Sequence, residues 1–268
     1  MTRLLFSAFI IVSMLGLAAC GERTEKKFVI GASNIPHAVI LERAKPLLEK
    51  KGVKLEIIKF QDYVLPNKAL ADKELDANYF QGIPYLEKEM KDKKYNFEIA
   101  GKIHIEPIGI YSKKYKNLKE IPEGAVIIMS NVITDHGRGL AILQKEGIIK
   151  IKDGVESVRA TIKDIADNPK KLKFKTDVEP GLLTQMFNNK EGDAVLINAN
   201  YALDAKLNPS KDALAVESKD SPYANVVVVR KGDKDKKVVK ELIGLLHSKE
   251  MENFINQEYK GAVIPVKE

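Results

Sequence analysis

The sequence predicts an α/β protein that is folded as two lobes. Short apolar runs typical of strands alternate with segments of helical periodicity, and this order indicates βαβ units and mainly parallel sheets. The alternation is interrupted by a stretch that contains Pro107 and Pro122, and it restarts afterwards. A chain of 268 residues is long enough for one large core or two smaller ones. We therefore expect a second lobe to begin near this interruption.

The first half of the chain contains three predicted strands and two predicted helices. Val, Ile and Phe mark the strands, whereas apolar residues at helical spacing mark the first helix, which contains Pro46 and is expected to kink there. In chain order the segments are strand 27–33, helix 37–52, strand 53–60, helix 67–75 and strand 76–80.

The second half repeats the pattern with longer apolar runs. Asn168-Pro169 is a strong stop signal, so the segment before it is predicted as a helix and the segment after it as a strand. In chain order the segments are strand 125–130, helix 136–147, helix 161–168, a strand up to residue 176, strands 193–199 and 224–230, and helix 235–259.

The order of elements also predicts where the lobes divide. An early lobe of about 80 residues would be thin, so we expect the C-terminal helices to complete it. Lobe 1 is then 28–108 plus 225–268, and lobe 2 is 109–224, with the chain crossing near Gly109 and again near Ala224. Ligands of such sheets bind beyond the carboxyl ends of strands, which places the site in the cleft between the lobes.

The N-terminus resembles a secretory leader. Arg3 is followed by an apolar run, Leu4 to Ala19, that is too short and too abruptly ended for a permanent membrane helix. The lone cysteine, Cys20, follows small residues, and "LAAC" resembles the lipobox of bacterial lipoproteins. We expect residues 1–19 to be a signal peptide, Cys20 to be lipidated and residues 20–27 to form a tether. The protein would be held at the cell membrane, facing outwards; a plain signal peptide is the alternative.

Composition and motifs exclude several functions. The net charge is +7, but the lysines are interleaved with carboxylates, which is typical of solvated surfaces and disfavours nucleic-acid binding. The sequence has no Gly-x-Ser-x-Gly, His-Glu-x-x-His or Walker motif, and its four histidines lack metal-ligand spacing. We expect no enzyme activity, cofactor or metal; a hydrolase using Ser130, Asp135 and His136 is the weaker alternative.

An arginine in a glycine-flanked turn indicates anion recognition. Gly137-Arg138-Gly139 follows a predicted strand and opens a helix, but a dinucleotide fingerprint would need a third glycine where Ile142 stands. A helix N-terminus attracts anions, and a guanidinium matches the geometry of a carboxylate. Arg138 is therefore a candidate for binding a ligand carboxylate. Pairing with a neighbouring carboxylate such as Asp135 is the structural alternative.

Amide and aromatic side chains occur at several predicted strand ends. Asn198 follows a buried run and Asn225 begins another, although Asn is depleted in strands. Tyr79 and Phe80 end an early strand. Taken singly, turn formation and core packing explain such residues, and His104 between two isoleucines is typical of a structural histidine.

Longer blocks of the chain resemble one known family. The blocks include "FQDYVLPNKALADKELDANYFQGIPYLE", "GKIHIEPIGIYSKK", "AVLINANYAL", "KDSPYANVVVVR" and "YKGAVIP". They are similar to the NlpA/MetQ family, the methionine-binding lipoproteins of bacterial ABC importers. The resemblance runs from about Phe28 to Pro265. It implies a type II periplasmic-binding-protein fold, a lipid anchor at Cys20 and delivery of methionine to a membrane permease driven by an ATPase.

The resemblance also assigns roles to individual residues. Arg138 matches the arginine that binds the ligand carboxylate, and Asn198 and Asn225 match asparagines that hold its amino and carboxylate groups. The positions that match the side-chain pocket are Tyr63, Tyr79, Phe80 and His104.

Two stretches depart from the family pattern, "SNVITD" and "EPGLLTQMFNNKEGD", and both are expected to face the cleft from lobe 2. L- or D-methionine is the expected ligand. A methionine-containing dipeptide or another apolar amino acid is the alternative, and a surface adhesin with the same fold is an alternative of another class.

Overall fold

The computed structural model describes residues 27–219 and 223–266 of the chain. The predicted signal peptide 1–19, Cys20 and all of the tether except Lys27 lie outside the described residues. Within the described ranges, no helix is both long enough and apolar enough to cross a membrane.

Thirteen strands occur in the described residues, and they form two main sheets and one small hairpin sheet. In chain order they are β1 (Phe28–Ser33), β2 (Leu55–Phe60), β3 (Ala77–Gly82), β4 (Phe97–Ile105), β5 (Gly109–Tyr111), β6 (Val126–Ser130), β7 (Lys150–Ile151), β8 (Ile165–Asp167), β9 (Lys173–Val178), β10 (Ala194–Ile197), β11 (Ala215–Val216), β12 (Ala224–Arg230) and β13 (Ile264–Pro265).

The α-helices of the described residues cover the faces of these sheets. In chain order they are α1 (Val39–Glu49), α2 (Leu65–Ala71), α3 (Ile83–Lys93), α4 (Ile133–Lys145), α5 (Leu183–Asn188), α6 (Ala199–Asp204), α7 (Pro209–Asp212), α8 (Lys237–Leu246) and α9 (Lys249–Tyr259). A π-helical turn, Asn34–Ala38, leads into α1, and α1 continues through Pro46 to Glu49.

The first sheet has six strands in the order β13-β4-β12-β3-β1-β2. β1 pairs in parallel with β2 and β3, whereas β12 lies antiparallel between β3 and β4. All of β12 except Arg230 is buried, as its run of valines predicts for a central strand. Helices α1, α8 and α9 contribute to one apolar core on this sheet, and α2 and α3 contribute to a second.

The second sheet has five strands in the order β11-β5-β10-β6-β9. β10, β6 and β9 run in parallel, while β5 pairs antiparallel with β10 on one side and with β11 on the other. Gly139 of α4 allows this helix to lie close to the sheet, because a Cβ there would be 2.4 Å from Met129 and 2.8 Å from Leu196. The second glycine of the turn around Arg138 therefore serves packing.

The predicted two-lobed α/β fold is confirmed. The six-stranded sheet uses residues 28–105 and 224–265, and the five-stranded sheet uses residues 109–216. The lobe boundaries 28–108 with 225–268 and 109–224 stay a prediction, and β12 begins at Ala224, one residue before the predicted boundary. The prediction of mainly parallel sheets was wrong, since both sheets are mixed.

Two predicted helices differ from the structure. Segment 161–168 is a 3₁₀ turn, Ile162–Asp164, followed by β8, because Thr161 and Asp164 form a capping box that closes a single turn. The predicted C-terminal helix is divided into α8 and α9. Ser248 starts the second helix, accepting a hydrogen bond from the Met251 N–H through its hydroxyl oxygen.

Candidate ligand-binding site

A cavity lies between the two sheets. Residues of both proposed lobes line it. They are Tyr63, Phe80, Gln81, Gly82, Pro84, Tyr85, Glu106, Val132, Thr134, Asp135, Arg138, Asn198, Ala199, Asn200, Tyr223 and Asn225. Polar groups able to bind both charges of a dipolar ligand therefore share one enclosed space with aromatic rings.

The cavity brings together five of the seven residues that the resemblance assigns to the ligand. Arg138, Asn198 and Asn225 line it, and so do Tyr63 and Phe80. They come from separate parts of the chain. Asn198 directly follows β10, Asn225 is the second residue of β12, and Arg138 lies in the second turn of α4.

Tyr79 and His104 do not line the cavity, which differs from the expectation. Both side chains are 0% exposed, and the Tyr79 hydroxyl is hydrogen-bonded to Nδ1 of His104. Successive residues of a strand point to opposite faces, so Phe80 faces the cavity while Tyr79 packs into the core. His104 lies behind Glu106, and its Nε2 is 2.7 Å from Oε1 of that carboxylate.

Arg138 is held at the two segments that connect the sheets. Its Nε and Nη2 donate to the carboxylate of Glu217 at 3.1 and 2.5 Å, and Nη2 also donates to the backbone oxygen of Glu106 at 2.8 Å. Burial alone would lower the Arg138 pKa, but the Glu217 carboxylate outweighs burial and leaves this pKa raised. The expected alternative partner, Asp135, is not the one used. Since Glu217 occupies one edge of the guanidinium, Nη1 is the group left to face a ligand.

The Nδ2 and Oδ1 atoms of the Asn198 amide have different surroundings. Its Nδ2 donates to Oδ2 of Asp135 at 3.0 Å, and the same oxygen accepts a hydrogen bond from the Ser130 hydroxyl at 2.9 Å. Its Oδ1 is buried and has no hydrogen-bond partner among the described residues. A buried acceptor without a donor costs about 1–3 kcal/mol. This oxygen is therefore set to receive an N–H group from a ligand.

Asn225 offers its Nδ2, and not its Oδ1, to the cavity. Its Oδ1 lies 3.0 Å from Nε2 of His37, which leaves its Nδ2 donor for the cavity. The pairing between β12 and β4 shifts register directly after Asn225, and such irregularities re-aim side chains. The cavity therefore has one amide that accepts and one that donates.

Glu106 is a buried carboxylate that the predicted site omits. It is 5% exposed, lies between β4 and β5, and lines the cavity. Burial raises the pKa of Glu106, whereas His37, Arg138 and a hydrogen bond from the backbone of Asn200 each act to lower it. A carboxylate in a stretch rich in isoleucine, "KIHIEPIGI", was the signal available in the sequence.

The apolar part of the cavity is an aromatic box. The ring centroids of Tyr63, Phe80 and Tyr85 lie 6.0–6.2 Å from one another, and Tyr63 is 5.3 Å from Tyr201. Tyr223 lies against the guanidinium of Arg138 at 4.6 Å. Tyr85 and Tyr223 were not among the predicted site residues. A box of this kind fits a flexible apolar side chain, and a thioether in particular.

Hydrogen bonds join the proposed lobes at the mouth of the cavity. The Tyr63 hydroxyl donates to Oδ1 of Asn200 at 2.6 Å, and the Tyr201 hydroxyl donates to the backbone oxygen of Gln61 at 3.0 Å. An open groove beside the cavity is lined by residues 61–63 and 179–182, among others. The two stretches that depart from the family pattern therefore contribute to the cavity and to this groove.

The geometry around Ser130 does not support the hydrolase alternative. The Ser130 hydroxyl donates to Asp135, and Nε2 of His136 donates to the backbone oxygen of Ser130 at 2.7 Å. Within the described ranges, no imidazole is placed to take a proton from the Ser130 hydroxyl, as a nucleophile and base pair requires. His37, His104 and Glu106 have metal-binding atoms within 4.8 Å of one another, but each of these atoms takes part in a hydrogen bond or ion pair within the cluster.

The model of the NlpA lipoprotein family matches residues 28–267. The chain belongs to the NlpA lipoprotein family. The chain is 51% identical over 275 residues to the methionine-binding lipoprotein MetQ of Bacillus subtilis, with 100% of each chain covered. The family and fold expected from the resemblance are confirmed.

Solved structures of relatives have the same fold. A nutrient-binding protein from Burkholderia cenocepacia, bound to methionine, is 41% identical with a TM-score of 0.84, and the match covers 90% of this chain and 100% of that chain. A periplasmic substrate-binding protein of an ABC transporter from Coxiella burnetii is 37% identical with a TM-score of 0.83, covering 89% and 99% of the two chains.

Proposed function

We propose that this NlpA lipoprotein is the substrate-binding subunit of an ABC importer and captures L- or D-methionine in the cavity between its lobes. The observation that carries the proposal is the buried Oδ1 of Asn198, which has no hydrogen-bond partner among residues 27–219 and 223–266 and belongs to a residue that lines the same cavity as Arg138, Asn225 and the aromatic box. The relatives support the choice of ligand, since one is described as methionine-binding and another has methionine bound.

The cavity offers separate partners for the two charges of an amino acid. The ammonium group donates to Oδ1 of Asn198 and to the carboxylate of Glu106. The carboxylate group accepts from Nη1 of Arg138 and Nδ2 of Asn225, near the N-terminal end of α4, where unpaired N–H groups favour an anion. Charge-assisted hydrogen bonds of this kind are the strong ones.

The thioether occupies the box of Tyr63, Phe80 and Tyr85, where each sulfur–aromatic contact contributes about 0.3–1.5 kcal/mol. The enclosed polar groups also favour a small ligand over the adhesin alternative, which would need none of them.

The remaining parts of the proposal concern the membrane. A lipid on Cys20 holds the protein at the outer side of the cell membrane, where it delivers methionine to a permease and its ATPase. The family of lipoproteins and the relative from an ABC transporter support this role. Opening of the lobes would break the hydrogen bonds from Tyr63 to Asn200 and from Tyr201 to Gln61, and so release the ligand.

The proposal is tested by thermal unfolding of the full chain, purified in detergent, with and without methionine. A ligand bound only to the folded state adds RT ln(1 + [L]/Kd), which is about 2.7 kcal/mol at 100 times Kd, so the melting temperature should rise. Arg138→Ala should abolish the rise, whereas Arg159→Ala, a control at an exposed arginine, should preserve it. The absence of any rise with methionine, or an unchanged response in Arg138→Ala, would contradict the proposal.

A further inference from the structure

A hydrogen-bonded cluster of two histidines lies directly behind the carboxylate that faces the ligand. Nε2 of His104 is 2.7 Å from Oε1 of Glu106, and Nε2 of His37 is 3.1 Å from the same oxygen. The two imidazole rings are 5.0 Å apart and 0–1% exposed. Neither histidine lines the cavity, so any role in binding has to act through Glu106 or Asn225.

The partners of the rings determine which nitrogens carry protons. The Tyr79 hydroxyl needs an acceptor, and Nδ1 of His104 is its hydrogen-bond partner in the described structure. Nε2 of His37 faces two acceptors, Oδ1 of Asn225 and Oε1 of Glu106, so this nitrogen must be a donor. Nδ1 of His37 then accepts from the Ser33 hydroxyl at 2.7 Å. Both rings are neutral imidazoles that donate through Nε2.

We propose that His37 and His104 are positioning residues, which keep Glu106 ionised and orient its carboxylate towards the ammonium group of the ligand. The identity of that ligand rests on the proposed function. His37 also holds the Asn225 amide with Nδ2 towards the cavity, so it orients the partners of both ligand charges.

The cluster keeps a buried carboxylate charged and leaves its charge available to the ligand, which a salt bridge to a cationic side chain would not do. Burial disfavours the charged form of Glu106, and N–H donors to its carboxylate favour that form. A Lys or Arg in their place would neutralise the carboxylate and reduce its attraction for an ammonium group. Burial lowers the pKa of His37 to about 4 and that of His104 to about 3, so both rings remain neutral at ordinary pH. Neutral donors stabilise the anion without adding a positive charge.

Other groups around Glu106 add to its environment without replacing the hydrogen bond to His104 and the close contact with Nε2 of His37. Arg138 contacts the backbone oxygen of Glu106, and the backbone N–H of Asn200 donates to its carboxylate. Among the described residues, the titratable and charged side chains that interact with Glu106 are His37, His104, Arg138, Tyr63, Tyr79 and Tyr259.

The test compares two substitutions of His104 in the full chain, purified in detergent. His104→Leu removes the donor, whereas His104→Gln keeps an N–H near the position of Nε2. At pH 7.5, His104→Leu should raise the Kd for L-methionine about 10-fold or more, while His104→Gln should stay within about 3-fold of wild type. His247→Gln, at a histidine outside the cavity lining, serves as the control.

The pH profile separates positioning from a general structural role. The wild-type Kd should be nearly constant between pH 8 and pH 6, because Glu106 stays ionised. In His104→Leu the Kd should rise as the pH falls, because the carboxylate takes up a proton. Binding of 4-(methylthio)butanoate, which lacks the ammonium group, should be the same in both proteins. A folded His104→Leu protein with wild-type affinity and pH profile would overturn the proposal.

Tyr79→Phe provides a second variant that keeps the shape of the core. Without the hydroxyl, Nδ1 of His104 loses its donor, and the Glu106 carboxylate alone then favours the Nε2–H tautomer of the ring. This variant should weaken methionine binding about 3-fold or more while leaving 4-(methylthio)butanoate unaffected. Equal weakening of both ligands would contradict a positioning role.

A ligand-free measurement distinguishes failure of this inference from failure of the proposed function. ¹⁵N NMR of the wild-type protein should show both rings as neutral Nε2–H tautomers, and ¹³C NMR should show Glu106 titrating at higher pH in His104→Leu than in wild type. If wild-type protein did not bind methionine, the proposed function would fail, yet these spectra would still decide the inference. Cationic rings, Nδ1–H tautomers, an unshifted Glu106 titration or Zn²⁺ binding through Nε2 would overturn it.

Discussion

The two walls of the cavity carry the same residue in opposite orientations. On the wall of the five-stranded sheet, Asn198 donates from its Nδ2 to Asp135, and its buried Oδ1 has no partner in the part of the chain that the structure describes. On the wall of the six-stranded sheet, Asn225 uses its Oδ1 on His37 and leaves its Nδ2. Both side chains are nearly buried, at 7% and 8% exposure, so the difference does not come from solvent.

The comparison shows that the groups behind an amide decide what it offers to a ligand. A carboxylate behind Asn198 takes the donor end, and a neutral imidazole that donates behind Asn225 takes the acceptor end. An asparagine is therefore a neutral group that either binds an ammonium or binds a carboxylate, according to its second partner. A site assembled from such pairs recognises both charges of an amino acid.

The largest effect on methionine binding is expected for Asn198, on the wall of the five-stranded sheet. Asn198→Leu removes the only amide oxygen proposed for the ligand ammonium and should raise the Kd for methionine about 100-fold, since hydrogen bonds to charged groups contribute about 1.5–3 kcal/mol. Isothermal titration calorimetry measures this change. Asn189→Ala, at an exposed asparagine, is the control, and 4-(methylthio)butanoate should lose far less affinity than methionine. Equal losses for both ligands would mean that Asn198 does not bind the ammonium group.

On the wall of the six-stranded sheet, a negative charge introduced at Asn225 should weaken methionine binding. Asn225→Asp keeps an acceptor for His37 but turns a carboxylate towards the ligand carboxylate, so the Kd for methionine should rise about 30-fold. The amine 3-(methylthio)propylamine, which lacks a carboxylate, should bind Asn225→Asp as well as wild type or better. Weaker binding of this amine to the variant would show that Asn225 faces the ammonium end of the ligand. The two walls would then have exchanged their proposed roles.

The histidines behind Asn225 also make stability depend on pH. Burial holds the pKa of His37 at about 4 and that of His104 at about 3, below the ordinary value of 6.5. Between about pH 6.5 and 4 the unfolded chain binds protons that the folded chain does not, so the free energy of unfolding falls as pH falls. The loss is about 2 kcal/mol for each imidazole between pH 6.5 and 5, and the raised pKa of Glu106 offsets part of it.

Urea unfolding at pH 7 and pH 5 measures this loss. The difference between the two pH values should shrink in His37→Gln, because the substituted side chain does not titrate. The same shrinkage is not expected for His247→Gln. A wild-type protein that is equally stable at both pH values would indicate that the two rings are not held neutral.

The smallest effect is expected at the apolar end of the cavity, which both walls share. Tyr85→Leu removes one ring of the aromatic box and should weaken methionine about 3-fold, the size of one sulfur–aromatic contact. Norleucine, in which a methylene replaces the sulfur, is the matched control ligand. If the sulfur lies in the box, the preference for methionine over norleucine should become smaller in Tyr85→Leu; an unchanged preference would place the sulfur elsewhere.

Much of the fold was predictable because its strands are apolar runs bounded by turn residues. The run of valines in β12 marks a buried strand, but not its direction, since the antiparallel pairing follows from the return of the chain from the other lobe. Segment 161–168 has apolar residues at Ile162 and Ile165, a spacing common to a helix and to a single turn followed by a strand. Local periodicity could not separate these two structures.

The cavity lining was predictable where a residue lies at a strand end, as for Asn198 and Asn225, whereas Phe80 lines the cavity from within β3. The alternation of side chains along β3 separates Tyr79 from its neighbour, but only the packed structure shows which face is the cavity. The pairing of Arg138 with Glu217 joins residues 79 positions apart and depends on how the two lobes meet. The reversed amides depend on hydrogen bonds behind the site, to which the sequence contains no guide.

The most direct test of the account is a crystal structure of the protein grown with L-methionine. We expect the ligand in the cavity with its ammonium group about 3 Å from Oδ1 of Asn198 and from the Glu106 carboxylate, and its carboxylate group about 3 Å from Nη1 of Arg138 and Nδ2 of Asn225. A methionine bound with its charged groups exchanged between the two walls, or bound outside this cavity, would contradict the account.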